Sequence, residues 1–328
     1  MMKILYNSKI LLLVSLFFVF FSYSHSQIKS MAGSFSRMGF DAKGLAMGNS
    51  MTACKEGIVS PYYNPSTIVF QEEITFNATY TFLNLDRNLN TFSFILPVKI
   101  KQDNGDILSA ALSGGLINAG VTNIDGRDYD GFQTGLLSTF ENQFYFAAAV
   151  KFTPKLAIGA TFKFNYAKLY DEITSSGFGV DAGLIYQITE KFALAVTVKD
   201  INTSYEWDTS ELYGQSGNST KDKFPLLKII GAGYKVNEDL YTTVSFESSN
   251  QKSNILKFGA EYSINSALQI RAGIDRLDIS NTNNGVKPSF GFSFSHDFNI
   301  LKPTLNYVFA LEPFTHYPLQ MITLTIQL

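Results

Sequence analysis

The sequence predicts an all-β protein: a 14-stranded antiparallel transmembrane β-barrel with an N-terminal plug or hatch segment ahead of it. Three observations predict this. From residue 72 to the end, apolar residues recur with period two. The alternating runs are about 11–14 residues long, where a tilted membrane strand needs about 9–11 and soluble strands centre on about 5–6. The chain also opens on an export-type leader. It is 45% hydrophobic, with 29 Phe and 17 Tyr, yet only 16% charged, against roughly 25% in soluble domains.

Residues 1–26 read as a secretory signal peptide. Lys3 and Lys9 form a basic start, Ile10–Phe21 is the apolar stretch, and Ser24 and Ser26 sit at small-residue positions before cleavage. The apolar stretch is short for a spanning helix, which needs about 20 residues; an uncleaved anchor is the alternative. Cleavage is expected to leave a chain starting at Gln27. That chain is mildly acidic, because the leader holds two lysines and no acid. No basic stripe suggests nucleic acid. One cysteine, Cys54, makes no disulfide framework and reads as a small buried residue.

Residues 27–71 do not alternate. They carry Gly33, Gly39, Gly44, Gly48 and Gly57 and helix-compatible stretches such as Asp41–Met47. A barrel of this size encloses space, so the segment is expected to fill it.

The strands are expected at 72–83, 90–100, 106–118, 142–153, 155–169, 176–189, 191–202, 225–236, 239–249, 254–264, 267–279, 287–298, 301–310 and 318–328. In 156–166, Leu156, Ile158, Phe162, Phe164 and Tyr166 alternate with Ala157, Gly159, Lys163 and Asn165. Aromatics such as Phe152, Phe192, Phe298, Tyr166 and Tyr170 near strand ends suit interfacial girdles. The other face mixes small and charged residues, as a confined polar lumen would. Its charges are Lys163, Asp181, Lys199, Lys257, Glu261, Arg271 and Asp275. Such groups bind ligand or, more often, pair with one another and with the plug, because unpaired buried charge is costly. Short turns at 101–105, 154, 190, 237–238, 265–266 and 299–300 alternate with longer connections, of which 119–141 and 203–224 are the longest. Either could hide a further hairpin. Pro97 inside the second strand implies a bulge or a strand end. A soluble periplasmic β-protein with the faces reversed is the remaining alternative.

Little in the sequence suggests catalysis. The three histidines, His25, His296 and His316, stand beside no paired carboxylates, elbow or phosphate loop. Neither an enzyme nor a cofactor is expected; His296 reads as an interfacial side chain. Tyr205, Trp207 and Tyr213 in the 203–224 loop are candidate partner contacts, or aromatics folded back on the rim.

Gly39-Phe-Asp-Ala-Lys-Gly-Leu-Ala-Met-Gly48, followed by Tyr62-Tyr-Asn-Pro-Ser-Thr-Ile68, resembles the opening motifs of the PorV/PorQ family, relatives of the FadL-type fatty acid transporters. Gly177–Leu184, Val198–Asn202, Phe258–Tyr262, Leu268–Gly273 and Leu305–Phe309 extend the resemblance over nearly the whole chain after the leader. Tyr63 and Ser66 depart from the family's usual Trp and Ala. The resemblance implies a 14-stranded outer-membrane barrel with a hatch marked by Gly44, Met47, Gly48, Asn64 and Pro65, although Asn-Pro also simply starts turns. It implies a part of the type IX secretion system, meeting secretion-system proteins and secreted cargo through the long outer loops. The alternative it implies is a transporter of hydrophobic small molecules, with an apolar lumen patch around Ile185 and Tyr145. By analogy with FadL-type barrels, Gly114-Gly115 would mark a wall opening; close packing against the plug is the plainer reading. Outer-membrane lipid is expected around the barrel in either case.

Overall fold

The computed structural model describes residues 31–101, 107–170, 173–251, 253–280, 285–313 and 317–328; the leader, Gln27 and His316 lie outside them. The strands are β1 (Thr75–Phe82), β2 (Arg87–Lys101), β3 (Ile107–Arg127), β4 (Gln133–Thr153), β5 (Leu156–Tyr170), β6 (Ile173–Gln187), β7 (Phe192–Ile201), β8 (Ser204–Asp208) and β9 (Ser219–Lys223). They continue with β10 (Leu227–Lys235), β11 (Leu240–Ser249), β12 (Asn254–Ser263), β13 (Leu268–Asp278), β14 (Lys287–Ser295), β15 (Lys302–Ala310) and β16 (Leu319–Gln327). All but β8 and β9 pair with their neighbours into a closed antiparallel barrel, so the wall has 14 strands. Closure is made by β1 on β16, from Thr75↔Gln327 to Phe82↔Gln320.

The direction of the alternation decides the environment. In β1 the buried residues are Thr75, Asn77, Thr79 and Thr81, and the exposed ones Phe76, Ala78, Tyr80 and Phe82. The inside is polar and the outside apolar, and the same holds for Phe162, Phe178, Phe292 and Phe294, all exposed, beside buried Thr161, Asp181 and Ser293. A soluble sandwich is built the other way round. The soluble alternative is therefore overturned, and the wall has the form of a transmembrane barrel.

Four of the short turns share one chemistry. In each, a polar side chain caps the N–H three residues on: Leu156 N–H donates to Thr153 Oγ1, Phe192 to Thr189 Oγ1, Leu240 to Asn237 Oδ1 and Leu268 to Asn265 Oδ1, at 2.7–3.1 Å. This is why an apolar–polar–x–x–apolar pattern recurs in the sequence at these places. β1 begins and β16 ends at that same end of the barrel.

Wall strand lengths are less uniform than expected, from 8 residues in β1 to 21 in β3 and β4. The segment expected as a loop at 119–141 is mostly β-ladder. β3 and β4 stay paired to Arg127↔Gln133, past the last partners of β2 (Val121) and β5 (Phe140), so a two-stranded ribbon projects above the rim. The 203–224 connection does hold a hairpin, β8–β9, outside the wall. No bulge occurs at Pro97: pairing with β3 runs unbroken through Pro97↔Ala111, while the ladder with β1 ends at Ile95.

Residues 31–71 form short turns at Ser34–Arg37, Met51–Ala53 and Pro65–Phe70 and one five-residue helix, α1 (Ala42–Ala46). Their contacts are with inward-facing wall residues. α1 meets β13–β16, the 51–53 turn meets β7, β10 and β11, and the 65–70 turn meets β2–β6. The inward glycines mark this track. A methyl group at Gly159 or Gly183 would strike Pro65 or Asn64; at Gly231, Thr52; at Gly259 or Gly273, the Met47–Gly48 backbone; at Gly291, Ala46.

Candidate functional site

Three charged clusters line the interior. In the first, Lys163 on β5 bonds Asp181 at 2.6 Å and also Asp200. In the second, Lys257 bonds Glu247 at 2.8 Å, with Asp275 at 3.9 Å accepting from Asn49 Nδ2 at 3.0 Å. In the third, Glu261 lies 2.6 Å from Arg271 and 3.8 Å from Lys43, and Arg271 also donates to Asn306 and Ser293. Lys199 ends 3.9 Å above the ring of Tyr62, a cation–π contact. Burial pushes the phenols of Tyr62 and Tyr63 up, so both stay neutral.

Two bulges build the first two clusters. Between Val180↔Ile201 and Ala182↔Val198, Asp181 opposes both Lys199 and Asp200; between Leu256↔Leu277 and Phe258↔Ile274, Lys257 opposes Asp275 and Arg276. Asp200 and Arg276 have φ of 60° and 62°, the left-handed region that non-glycine residues rarely adopt. Bulges re-aim side chains, and here each brings a second charge inside. Strict alternation sends Asp200 to the lipid, so it was not anticipated as a lumen residue. The signal was present: adjacent charges at Lys199-Asp200 and Asp275-Arg276, where a lipid-facing position demands an apolar side chain.

The motif residues of the N-terminal segment are structurally committed. Asp41 caps α1 by accepting from Gly44 N–H at 2.6 Å; burial pushes its carboxyl up. Gly44 leaves room for the Tyr63 hydroxyl, which donates to Asn49 Oδ1 at 3.0 Å. Gly48 has φ 60° and lies against the backbone of Phe258 and Ile274. Met47 is fully buried. Asn64 caps the next turn through Ser66 N–H and donates to Thr52 O at 2.8 Å, with Pro65 as the turn's first residue. Lys43, Asn49, Tyr62 and Arg37 were missed in the sequence, because nothing local shows which wall residues a non-alternating segment will meet.

The apolar patch expected around Ile185 and Tyr145 is filled. Ile185 packs in one cluster with Ile68 and Val69, and the Tyr145 ring lies 6.0 Å from Phe40. Gly114 and Gly115 are paired on both sides, to Phe94 and Phe146 and to Ser93 and Tyr145, so the wall is closed there. Side chains at these positions would meet the Phe94 ring and the Tyr145 hydroxyl. His296 is exposed beside the Phe298 ring. Among the described residues, no group of three or more His, Cys, Asp and Glu is placed to hold a metal.

Open space remains in two main places on the loop side of the segment. One cavity of about 270 Å³ lies deep, among Tyr62, Lys199, Glu247, Lys257, Asp275 and Arg276. Another of about 430 Å³ lies at the mouth, where Met31, Phe35, Met38, Leu83, Leu89 and Trp207 supply apolar surface. The β8–β9 hairpin roofs the mouth cavity. Tyr205 is 2% exposed, folded back on the rim as the alternative reading of the loop aromatics has it. It packs on Trp207 and Phe224, and its hydroxyl donates to Glu141 on β4 at 3.2 Å. Trp207 is half-buried in the same cluster; Tyr213 is exposed. The hairpin holds its place because an aromatic inner face gains more by covering the apolar mouth than by facing water.

No protein-family model matches the sequence, and no curated protein matches it. Solved structures do. The chain is similar to the Pseudomonas putida toluene transporter TodX, at 13% identity over 88% of this chain and 96% of that one, with a TM-score of 0.57. A TodX deltaS2S3 mutant described as a monoaromatic hydrocarbon channel gives 0.58 at 13% identity, covering 88% and 97%. A Pseudomonas aeruginosa FadL homologue gives 0.54 at 11% identity, covering 88% and 98%. At such identities the likeness is one of fold: this chain has the barrel fold of FadL-type proteins.

Proposed function

We propose that the protein is a non-enzymatic outer-membrane channel for small hydrophobic molecules, with residues 31–71 as its plug. The mouth cavity carries this reading. It is a concave, largely apolar site of about 430 Å³ with a few polar groups, the general form of a small-molecule site. It stands above an interior whose apolar patches are filled and whose charged clusters are paired. The fold likeness to structures described as a toluene transporter and a hydrocarbon channel points the same way. The plug role draws on the continuous contacts of α1 and the 51–53 and 65–70 turns with the inner wall. Trp207 is the only tryptophan and lines the mouth cavity, so its fluorescence reports binding. Toluene added to the reconstituted barrel is expected to change Trp207 emission saturably, and proteoliposomes are expected to take up toluene faster than empty liposomes. Val121→Phe, which fills part of the cavity and adds no second tryptophan, is expected to weaken binding at least tenfold. Unsaturable emission changes together with uptake no faster than empty liposomes would contradict the reading.

A secretion role as a PorV/PorQ-like component of the type IX system keeps two supports. One is the motif resemblance. The other is the projecting β3–β4 ribbon, whose tip exposes Tyr129, Phe132 and Leu136, apolar surface suited to a protein partner. Secretion-system proteins or cargo co-purifying with the wild type, but not with a chain lacking 123–136, would favour it over the channel reading.

A further inference from the structure

We propose that the β8–β9 hairpin is a lid whose movement is coupled to the N-terminal segment through Phe224 and Gly33. The proposal rests on the channel reading for its purpose, but the coupling is argued from contacts alone. The hairpin is seated in a built notch. Its first strand passes over Gly177 and Gly179 of β6, where side chains would collide with Ser204 O and Thr203 Oγ1. Ser175 Oγ donates to Glu206 O and accepts from Glu206 N–H, both at 2.9 Å. Tyr205 reaches across to Glu141. Its second strand returns to Phe224, whose N–H donates to Thr203 O at 3.0 Å and closes the base.

The Phe224 ring lies on Gly33, which has φ 68° and no room for a side chain. Arg37 fixes this turn by donating to the carbonyls of Met31, Ala32 and Gly33. Tyr62 Oη then donates to Ser36 O at 2.6 Å, and Lys199 sits on the Tyr62 ring. Lid, turn and deep cavity are thus joined by contacts. The mouth cavity is wedged between the lid and residues 31–38. A molecule settling there lies against Tyr205 and Trp207, and Phe224 cannot move without freeing Gly33.

The test uses the full barrel in lipid with Cys54→Ser, adding Ser175→Cys and Glu206→Cys to lock the lid by a disulfide. Hydrogen exchange at 31–38 is read by mass spectrometry, first without any hydrocarbon. Phe224→Ala is expected to raise exchange there at least tenfold while β12–β15 stay protected, and the oxidised lock is expected to lower it, reversibly on reduction. Exchange at 31–38 that ignores both changes overturns the proposal. Toluene is the probe in a second arm: it is expected to raise exchange at 31–38 in the reduced protein and not in the locked one. If the first arm holds and toluene has no effect in either state, the coupling stands and the hydrocarbon reading fails. If toluene acts equally on the locked and reduced forms, the lid is overturned.

Discussion

Removing the Lys163 ammonium is expected to be far more damaging than removing any rim lysine. Its side chain is 4% exposed and serves Asp181 and Asp200, themselves 4% and 2% exposed. Lys163→Ala leaves two carboxylates facing each other in a buried site with no cation between them. Breaking a buried pair from one side costs about 3–5 kcal/mol. At 1.4 kcal/mol per tenfold change, that is roughly two to three and a half decades in the folding equilibrium. The assay is urea unfolding in lipid, followed by Trp207 emission and by gel migration of unheated samples. Lys163→Met with Asp181→Asn and Asp200→Asn removes all three charges at similar volume, so most of the loss is expected to return. Lys221→Ala, whose partner Glu206 is solvent-exposed, serves as the control and is expected to leave the midpoint unchanged. A Lys163→Ala loss below about 1 kcal/mol, or a triple variant no better than the single one, would refute the view that these charges hold one another rather than await a ligand.

Three further outcomes follow from the packing. Gly48→Ala places a methyl group against the backbone of Phe258 and Ile274 at φ 60°, so faster hydrogen exchange of 42–53 is expected, with wall strands unaffected. Burial pushes the Cys54 thiol up, so maleimide is expected to label it only after denaturation; prompt labelling of the folded barrel would contradict its packing. Phe292→Lys puts a charge on the outer face and is expected to cost about 2–4 kcal/mol if near the bilayer midplane, measured by the same unfolding assay.

The wall was legible because membrane strands carry their constraint residue by residue: every second side chain must be apolar. That constraint weakens where the chain leaves the bilayer. Residues 119–127 and 133–141 pair too, with register shifts after Val121 and Gly126, but water surrounds them, so the alternation fades and they read as loop. It also misleads at bulges, where Asp200 and Arg276 break the period that defines inside and outside. Asn64 and Gly48 were visible as motif residues, yet their partners Thr52, Phe258 and Ile274 lie on distant or separate elements. The mouth cavity was illegible for the same reason, since it joins 31–38, four rim strands and a hairpin. Tyr205 shows the limit in one residue: its loop position suggested exposure, and its neighbours Phe224 and Ala32 buried it.

The most direct measurement places a single tryptophan on each face of one strand in a Trp207→Phe background. Phe162 is exposed and Thr161 is 3% exposed. In bilayers with brominated acyl chains, Phe162→Trp is expected to be strongly quenched and Thr161→Trp hardly at all. Equal quenching at both, or none at either, would contradict a barrel whose apolar face meets lipid and whose polar face is turned inward.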